Sequence, residues 1–142
     1  LDAKGRLSLP SGLRKQLDPA DQESFVINRG LSGNLTLYPM SQWARVMDEL
    51  RKLNQFRQRD AKFIRKFHNG ATKVSIDSNG RLLIPKELMK HAGISKDVVL
   101  ASNIDQFEIW DKGAHEKMMS EGWDDFADLA EEVMGNIGGN DE

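Results

Sequence analysis

The chain has 142 residues, enough to bury a core without cross-links, and its 39% hydrophobic and 30% charged residues describe a polar globular protein. No apolar run approaches the ~18 residues of a bilayer-spanning helix, and the absence of cysteine excludes disulfides, thiolate nucleophiles and thiolate metal sites. The net charge of -2 hides a division: residues 1–96 carry 18 Lys and Arg against 9 Asp and Glu, whereas residues 97–142 carry 2 against 13.

In chain order, Asp2-Ala-Lys-Gly5 reads as a tight hairpin turn, followed by a short strand over Arg6–Leu9 and a single short helix opened by Pro10. Strands follow at Phe25–Asn28 and Leu35–Tyr38, joined by a loop rich in Gly, Ser and Asn. From Ser41, read as an N-cap, the residues Trp43, Val46, Met47, Leu50, Leu53 and Phe56 fall at helical spacing. The pattern resumes at Phe63, Ile64 and Phe67 after a polar break at Gln58–Lys62. A strand over Ala71–Ile76 then leads into a second turn, Asp77-Ser-Asn-Gly80, where Asn79-Gly80 suits a two-residue hairpin and Lys4-Gly5 is its weaker twin. This strand is expected to pair with the one after the turn, Arg81–Ile84. Pro85 opens another short helix that Gly93 stops, and strands are expected at Val98–Ser102 and Phe107–Trp110. The tail carries Trp123, Phe126, Leu129 or Ala130, Val133 and Ile137 as an apolar stripe on an acidic helix ended by Gly138, Gly139 and Asn140.

These elements occur twice. Leu1–Leu13 (LDAKGRLSLPSGL) matches Ile76–Leu88 (IDSNGRLLIPKEL) at a constant offset of 75, and the later strands correspond at offsets of 73 and 72. The counterpart of the strand Ala71–Ile76 would begin about five residues before Leu1, so a first copy with a trimmed or incompletely ordered N-terminus is expected.

The duplicated Asp-x-x-x-Arg, as Asp2 to Arg6 and Asp77 to Arg81, together with LTLYP and its echo FEIWD, resembles the MraZ family. The resemblance covers nearly the whole chain. It implies an α+β fold of tandem swapped-hairpin SpoVT-AbrB units forming an intrachain pseudo-dimer. Its segments would be one unit over residues 1–43, a helical link over 44–70, a second unit over 71–115 and an acidic helix and tail over 116–142. It also implies a cytoplasmic, nucleoid-associated regulator of the division and cell-wall gene cluster, a ring-like homo-oligomer that binds short direct repeats in double-stranded DNA. No membrane or small-molecule partner and no cofactor is implied.

Residue chemistry fits such a role. An arginine directly after a glycine turn can reach guanine O6 and N7 or clamp a phosphate, which points to Arg6 and Arg81. Each could equally close an ion pair to Asp2 or Asp77, and the two roles are compatible because a carboxylate orients a guanidinium. Asp2, Gly5, Asp77 and Gly80 are then positioning residues. Lys4, Arg14, Lys15 and Lys86 suit phosphate contact or ordinary solvation. The basic run from Arg51 to Lys66 reads as the solvated face of an amphipathic helix.

Catalytic readings find no support, since His68, His91 and His115 lack partner spacing and no Gly-rich phosphate cradle is present. The alternatives are a protein-binding scaffold and an antitoxin-like regulator, each using the acidic tail.

Overall fold

The computed structural model describes the backbone of residues 1–140 and the side chains of residues 1–135, so the side chain of Ile137 and the terminal Asp141-Glu142 lie outside the described residues. The chain divides into two compact units, Leu1–Lys112 and Gly113–Glu142.

The first unit contains strands β1 (Arg6–Ser8), β2 (Ser24–Arg29), β3 (Leu35–Pro39), β4 (Thr72–Ser75), β5 (Arg81–Leu83), β6 (Val98–Asn103) and β7 (Gln106–Asp111). Its helices are α1 (Ser11–Lys15), α2 (Met40–Arg51), α3 (Gln58–Asn69) and α4 (Lys86–His91). The strands form an antiparallel sheet in the order β4-β2-β3-β7-β6 and a separate antiparallel ribbon of β1 with β5.

The registers carry the internal symmetry. In the ribbon, Leu7 stands opposite Leu82, and in the sheet Thr36 stands opposite Glu108, pairs separated by the same offsets of 75 and 72 that relate the two copies. A pseudo-two-fold therefore passes through both contacts. The Leu1 ammonium donates to the Lys96 carbonyl at 3.1 Å, as the Ile76 amide donates to that of Glu23 at 2.9 Å. The core is shared between copies: Leu7, Leu9, Phe25, Ile27, Leu35 and Leu37 pack with Leu82, Ile84, Leu88, Ile94, Phe107 and Ile109.

This pairing corrects the expected partner of the strand at residues 71–76. β4 does not fold back on β5 but pairs with β2 of the first copy, while β5 pairs with β1. The chain thus exchanges strands between copies at each turn, the arrangement of a swapped-hairpin pseudo-dimer. The turns differ in type from the expected two-residue form. Gly5 and Gly80 adopt φ of +78° and +74°, and among the described residues Ile104 alone is a non-glycine with positive φ, so neither Lys4 nor Asn79 needs the left-handed region. Each turn is a four-residue Asp-x-x-Gly turn closed by the glycine N–H on the aspartate carbonyl, at 3.1 and 3.0 Å. That explains why lysine serves as well as asparagine at the third position.

Helix limits also shift. Pro10 and Pro85 cap α1 and α4 from outside, one residue earlier than the first-turn position expected of them. Gly93 ends α4 as expected: its N–H bonds the Lys90 carbonyl, and that of Ile94 bonds Met89. Ser41 is not the cap of α2. It lies in the first turn, where its backbone N–H donates to Asp21 Oδ1 at 3.0 Å and its hydroxyl to Asp21 Oδ2. Asp21 is buried and caps the helix from 20 residues upstream, an interaction worth about 1 kcal/mol. The break in the linking segment falls before Gln58 and not over Gln58–Lys62, because Asn54 accepts the Phe56 and Arg57 amides and starts α3 afresh. Trp43 packs against Tyr38 at 5.1 Å and Phe67 at 5.9 Å, and Asn28 donates to the Phe67 carbonyl at 2.8 Å, fixing the linking helices to the sheet.

The second unit contains most of α5 (Lys112–Ser120) and all of α6 (Phe126–Asn140). Trp123 packs tilted against Phe126 with ring centroids 5.0 Å apart, and its indole N–H donates to the Met119 carbonyl. Trp123, Phe126, Leu129 and Val133 are each about half exposed. α6 continues through Gly138 and Gly139, which were expected to end it.

Candidate nucleic-acid interface

The site is built on the β1/β5 ribbon. Directly opposed residues of an antiparallel pair share a face, so Arg6 with Leu83 and Ser8 with Arg81 lie on one side and Leu7 with Leu82 on the other. Burial agrees: Leu7 and Leu82 are in the core, Ser8 and Leu83 are exposed, and the arginine side chains keep 29% and 26% of their surface. The ribbon thus presents two arginines, a serine and a leucine outward.

Each aspartate organises its turn. Asp2 Oδ1 accepts the backbone N–H of Lys4 and Arg6, both at 2.9 Å, and Asp77 Oδ1 accepts those of Asn79 and Arg81 at 2.9 and 3.0 Å. The second oxygens face the guanidiniums. Arg6 Nε donates to Asp2 Oδ2 at 2.7 Å, and Arg81 Nη1 reaches the same oxygen at 3.5 Å. Arg81 Nε also lies 3.3 Å from Asp77 Oδ2, close enough for ionic attraction but without hydrogen-bond alignment. Asp2 therefore joins the arginines of both copies, the compatible arrangement in which ion pairing orients each guanidinium.

The backbone N–H of Arg6, followed by the Arg6 side chain, holds the Asp2 carboxyl down at about 2, and the Arg81 backbone N–H lowers that of Asp77 in the same way. A folded-state value below the ordinary 3.8 means that Asp2 contributes stability above about pH 4 and loses it as the pH falls toward 2. Urea unfolding across this window is expected to show stability declining with acid, with a shallower decline in Asp2→Asn.

The turn glycines are roofed by the opposite copy. A Cβ on Gly80 would lie 3.1 Å from Arg14 Nη2, and one on Gly5 would lie 3.2 Å from Met89 Sδ. Arg14 and Met89 are 75 positions apart, so they are equivalent residues. Arg14 is half-buried, with its Nε enclosed and without a hydrogen-bond partner, which places it as a buttress of the second turn. Met89 carries the matching role; the constant offset was the available signal for it. Lys4 is exposed within the first turn, while Lys15 and Lys86 are exposed at the end of α1 and the start of α4. No hydrogen bond or ion pair joins these three side chains to the arginine cluster among the described residues. In the linking segment, Arg51 and Lys52 pair with Asp48 and Glu49 at 2.6 and 2.8 Å.

Among the described residues, no group of three His, Asp or Glu side chains could hold a metal ion, and no helix is long and apolar enough to cross a membrane.

Two copies of one strand-exchanging unit, with an Asp-x-x-x-Arg turn in each and both arginines on the outward face of one ribbon, define a tandem swapped-hairpin protein. The family model described as "MraZ protein, putative antitoxin-like" matches residues 1–66 and again 67–136. The chain belongs to the MraZ family. Over 137 residues it is 53% identical to the transcriptional regulator MraZ of Christiangramia forsetii, covering 96% of this chain and 88% of that protein. Its identity to the protein of that name from Flavobacterium psychrophilum is 48% over 138 residues, again 96% and 88% of the two chains. The corresponding protein of Pediococcus pentosaceus is 38% identical over 134 residues, 94% of this chain and 91% of the relative. These relatives are named as regulators, not enzymes.

Proposed function

We propose that this chain is a sequence-specific DNA-binding transcriptional regulator that lays the β1/β5 ribbon in the major groove. The carrying observation is that Arg6 and Arg81 share one outward face of a two-stranded ribbon and are tied together by Asp2. A two-stranded ribbon fits the major groove, and a planar guanidinium can bond guanine O6 and N7 together. Lys4, Arg14, Lys15 and Lys86 contact phosphates, and Arg14 also supports the second turn. Gly5 and Gly80 let the turn backbones pass beneath the opposite copy.

The names of the relatives and the basic charge of residues 1–96 support this reading. The SpoVT-AbrB units occupy residues 1–43 and 71–115, with 44–70 as their link and 116–142 as an acidic helical tail. The targets are short direct repeats controlling the division and cell-wall gene cluster, at the nucleoid in the cytoplasm. A ring-like homo-oligomer engages several repeats together, so avidity multiplies a modest single-ribbon affinity. The half-exposed apolar residues of α6 favour a protein contact for the tail, either with another copy or, in an antitoxin-like or scaffold role, with a different protein.

Selection from random duplex DNA, followed by binding at two salt concentrations, tests the proposal. The expected result is enrichment of one short motif, with affinity falling steeply as salt rises because phosphate contacts release counterions. Failure to enrich a motif, or binding indifferent to salt, would overturn it.

A further inference from the structure

The two copies agree at the arginines of the ribbon and disagree beside them. Ser8 and Leu83 are equivalent, 75 positions apart, and stand on the outward face opposite Arg81 and Arg6. Their neighbours are conventional: Leu82 and Ile84 are each 1% exposed, yet Leu83 between them is 56% exposed. An isolated exposed leucine is ordinary on a protein surface. This one sits on the face that carries both arginines, and with Pro85 and Val74 it lines a shallow groove beside Lys73.

A ribbon with a perfect two-fold face would read a two-fold DNA sequence, since equivalent residues meet equivalent base edges on the two strands. Arg6 and Arg81 obey that symmetry. Ser8 and Leu83 break it, because a hydroxyl both donates and accepts hydrogen bonds whereas a leucine offers only apolar contact. In the major groove the apolar feature is the thymine C5-methyl group.

We infer that Leu83 is a specificity-determining residue that contacts a thymine methyl on one side of the ribbon, and that its contrast with Ser8 gives the recognised site a direction. The inference rests on the ribbon reading proposed above and deepens it. A directional site can recur as direct repeats, each read by the ribbon in one orientation. A symmetric face would bind both orientations equally and could not tell a direct from an inverted arrangement of the same half-site.

Uracil isolates the contact, because it pairs as thymine does but lacks the C5-methyl group. In the selected duplex, replacing thymines one at a time is expected to weaken binding about fourfold at one position, the worth of one methyl group taken out of water. Leu83→Ser should lose that sensitivity and select a two-fold symmetric site, while Ser8→Leu should gain a second uracil-sensitive position on the other strand. Both positions are exposed, so neither change disturbs the core. Tolerance of uracil at every position by the unaltered protein would overturn the inference, as would an unchanged selected site in Leu83→Ser. If binding depends on Arg6 and Arg81 while uracil is tolerated, this inference alone falls. If Arg6→Ala and Arg81→Ala bind DNA as the unaltered protein does, the ribbon reading falls with it.

Discussion

Alanine at Arg6 or Arg81 is expected to weaken binding to the selected DNA by about 1 to 3 kcal/mol per ribbon, and by more when several ribbons engage one fragment. The expectation follows from geometry. Both guanidiniums leave the ribbon on its outward face, and Asp2 fixes them through contacts of 2.7 and 3.5 Å. Preorganisation of this kind leaves less side-chain entropy to lose on binding. Sharing one carboxylate also couples the two residues, so the double variant should depart from the sum of the single losses. Lys4→Ala is the useful contrast. Removing a phosphate-contacting lysine should lower affinity for all sequences and reduce the salt slope by about 1, whereas removing a base-reading arginine should relax the sequence preference. Measured by fluorescence anisotropy on selected and scrambled duplexes, unchanged preference in both folded arginine variants would remove the base-reading role.

How much of this was legible in the sequence depends on the range of the interaction concerned. Asp2, Gly5, Asp77 and Gly80 announce themselves because the aspartate and glycine act within four residues, and their repetition at one offset names the elements of both copies. Strand exchange is different. The Asp-x-x-Gly turn makes the same local bonds whether the next strand folds back or crosses to the other copy, so the turn cannot reveal that β4 pairs with β2. That choice is made by burying Leu7, Leu82 and their neighbours in one core. Asp21 was hidden for a related reason: its partner Ser41 looks like a cap in its own right until the chain brings the two together. Arg14 read as one more surface cation, because composition does not show the glycine beneath it.

The shared core leads to the second large effect. Leu82 is 1% exposed, stands opposite Leu7 at the pseudo-two-fold and packs in a cluster drawn from both copies. Leu82→Ala is expected to cost about 2 to 5 kcal/mol, the range for deleting a buried leucine side chain whose cavity collapses only in part. Its distribution matters as much as its size. Were the copies independent modules, urea would unfold them separately and only the second transition would move. Because β1 has its ladder partner in β5, β4 has its partner in β2 and β3 pairs with β7, each copy would keep only a two-stranded hairpin, β2/β3 or β6/β7, when the other opens, and such a hairpin is marginal by itself. The Leu1–Lys112 unit should therefore unfold in one transition, displaced as a whole by the substitution, with circular dichroism and the fluorescence of a variant that keeps Trp43 but carries Trp110→Phe and Trp123→Phe changing together. Two resolved transitions, with just one responding to Leu82→Ala, would mean that the exchanged strands do not bind the copies into one folding unit. DNA binding should fall only in proportion to the unfolded fraction, since Leu82 points into the core and the arginine face is left intact.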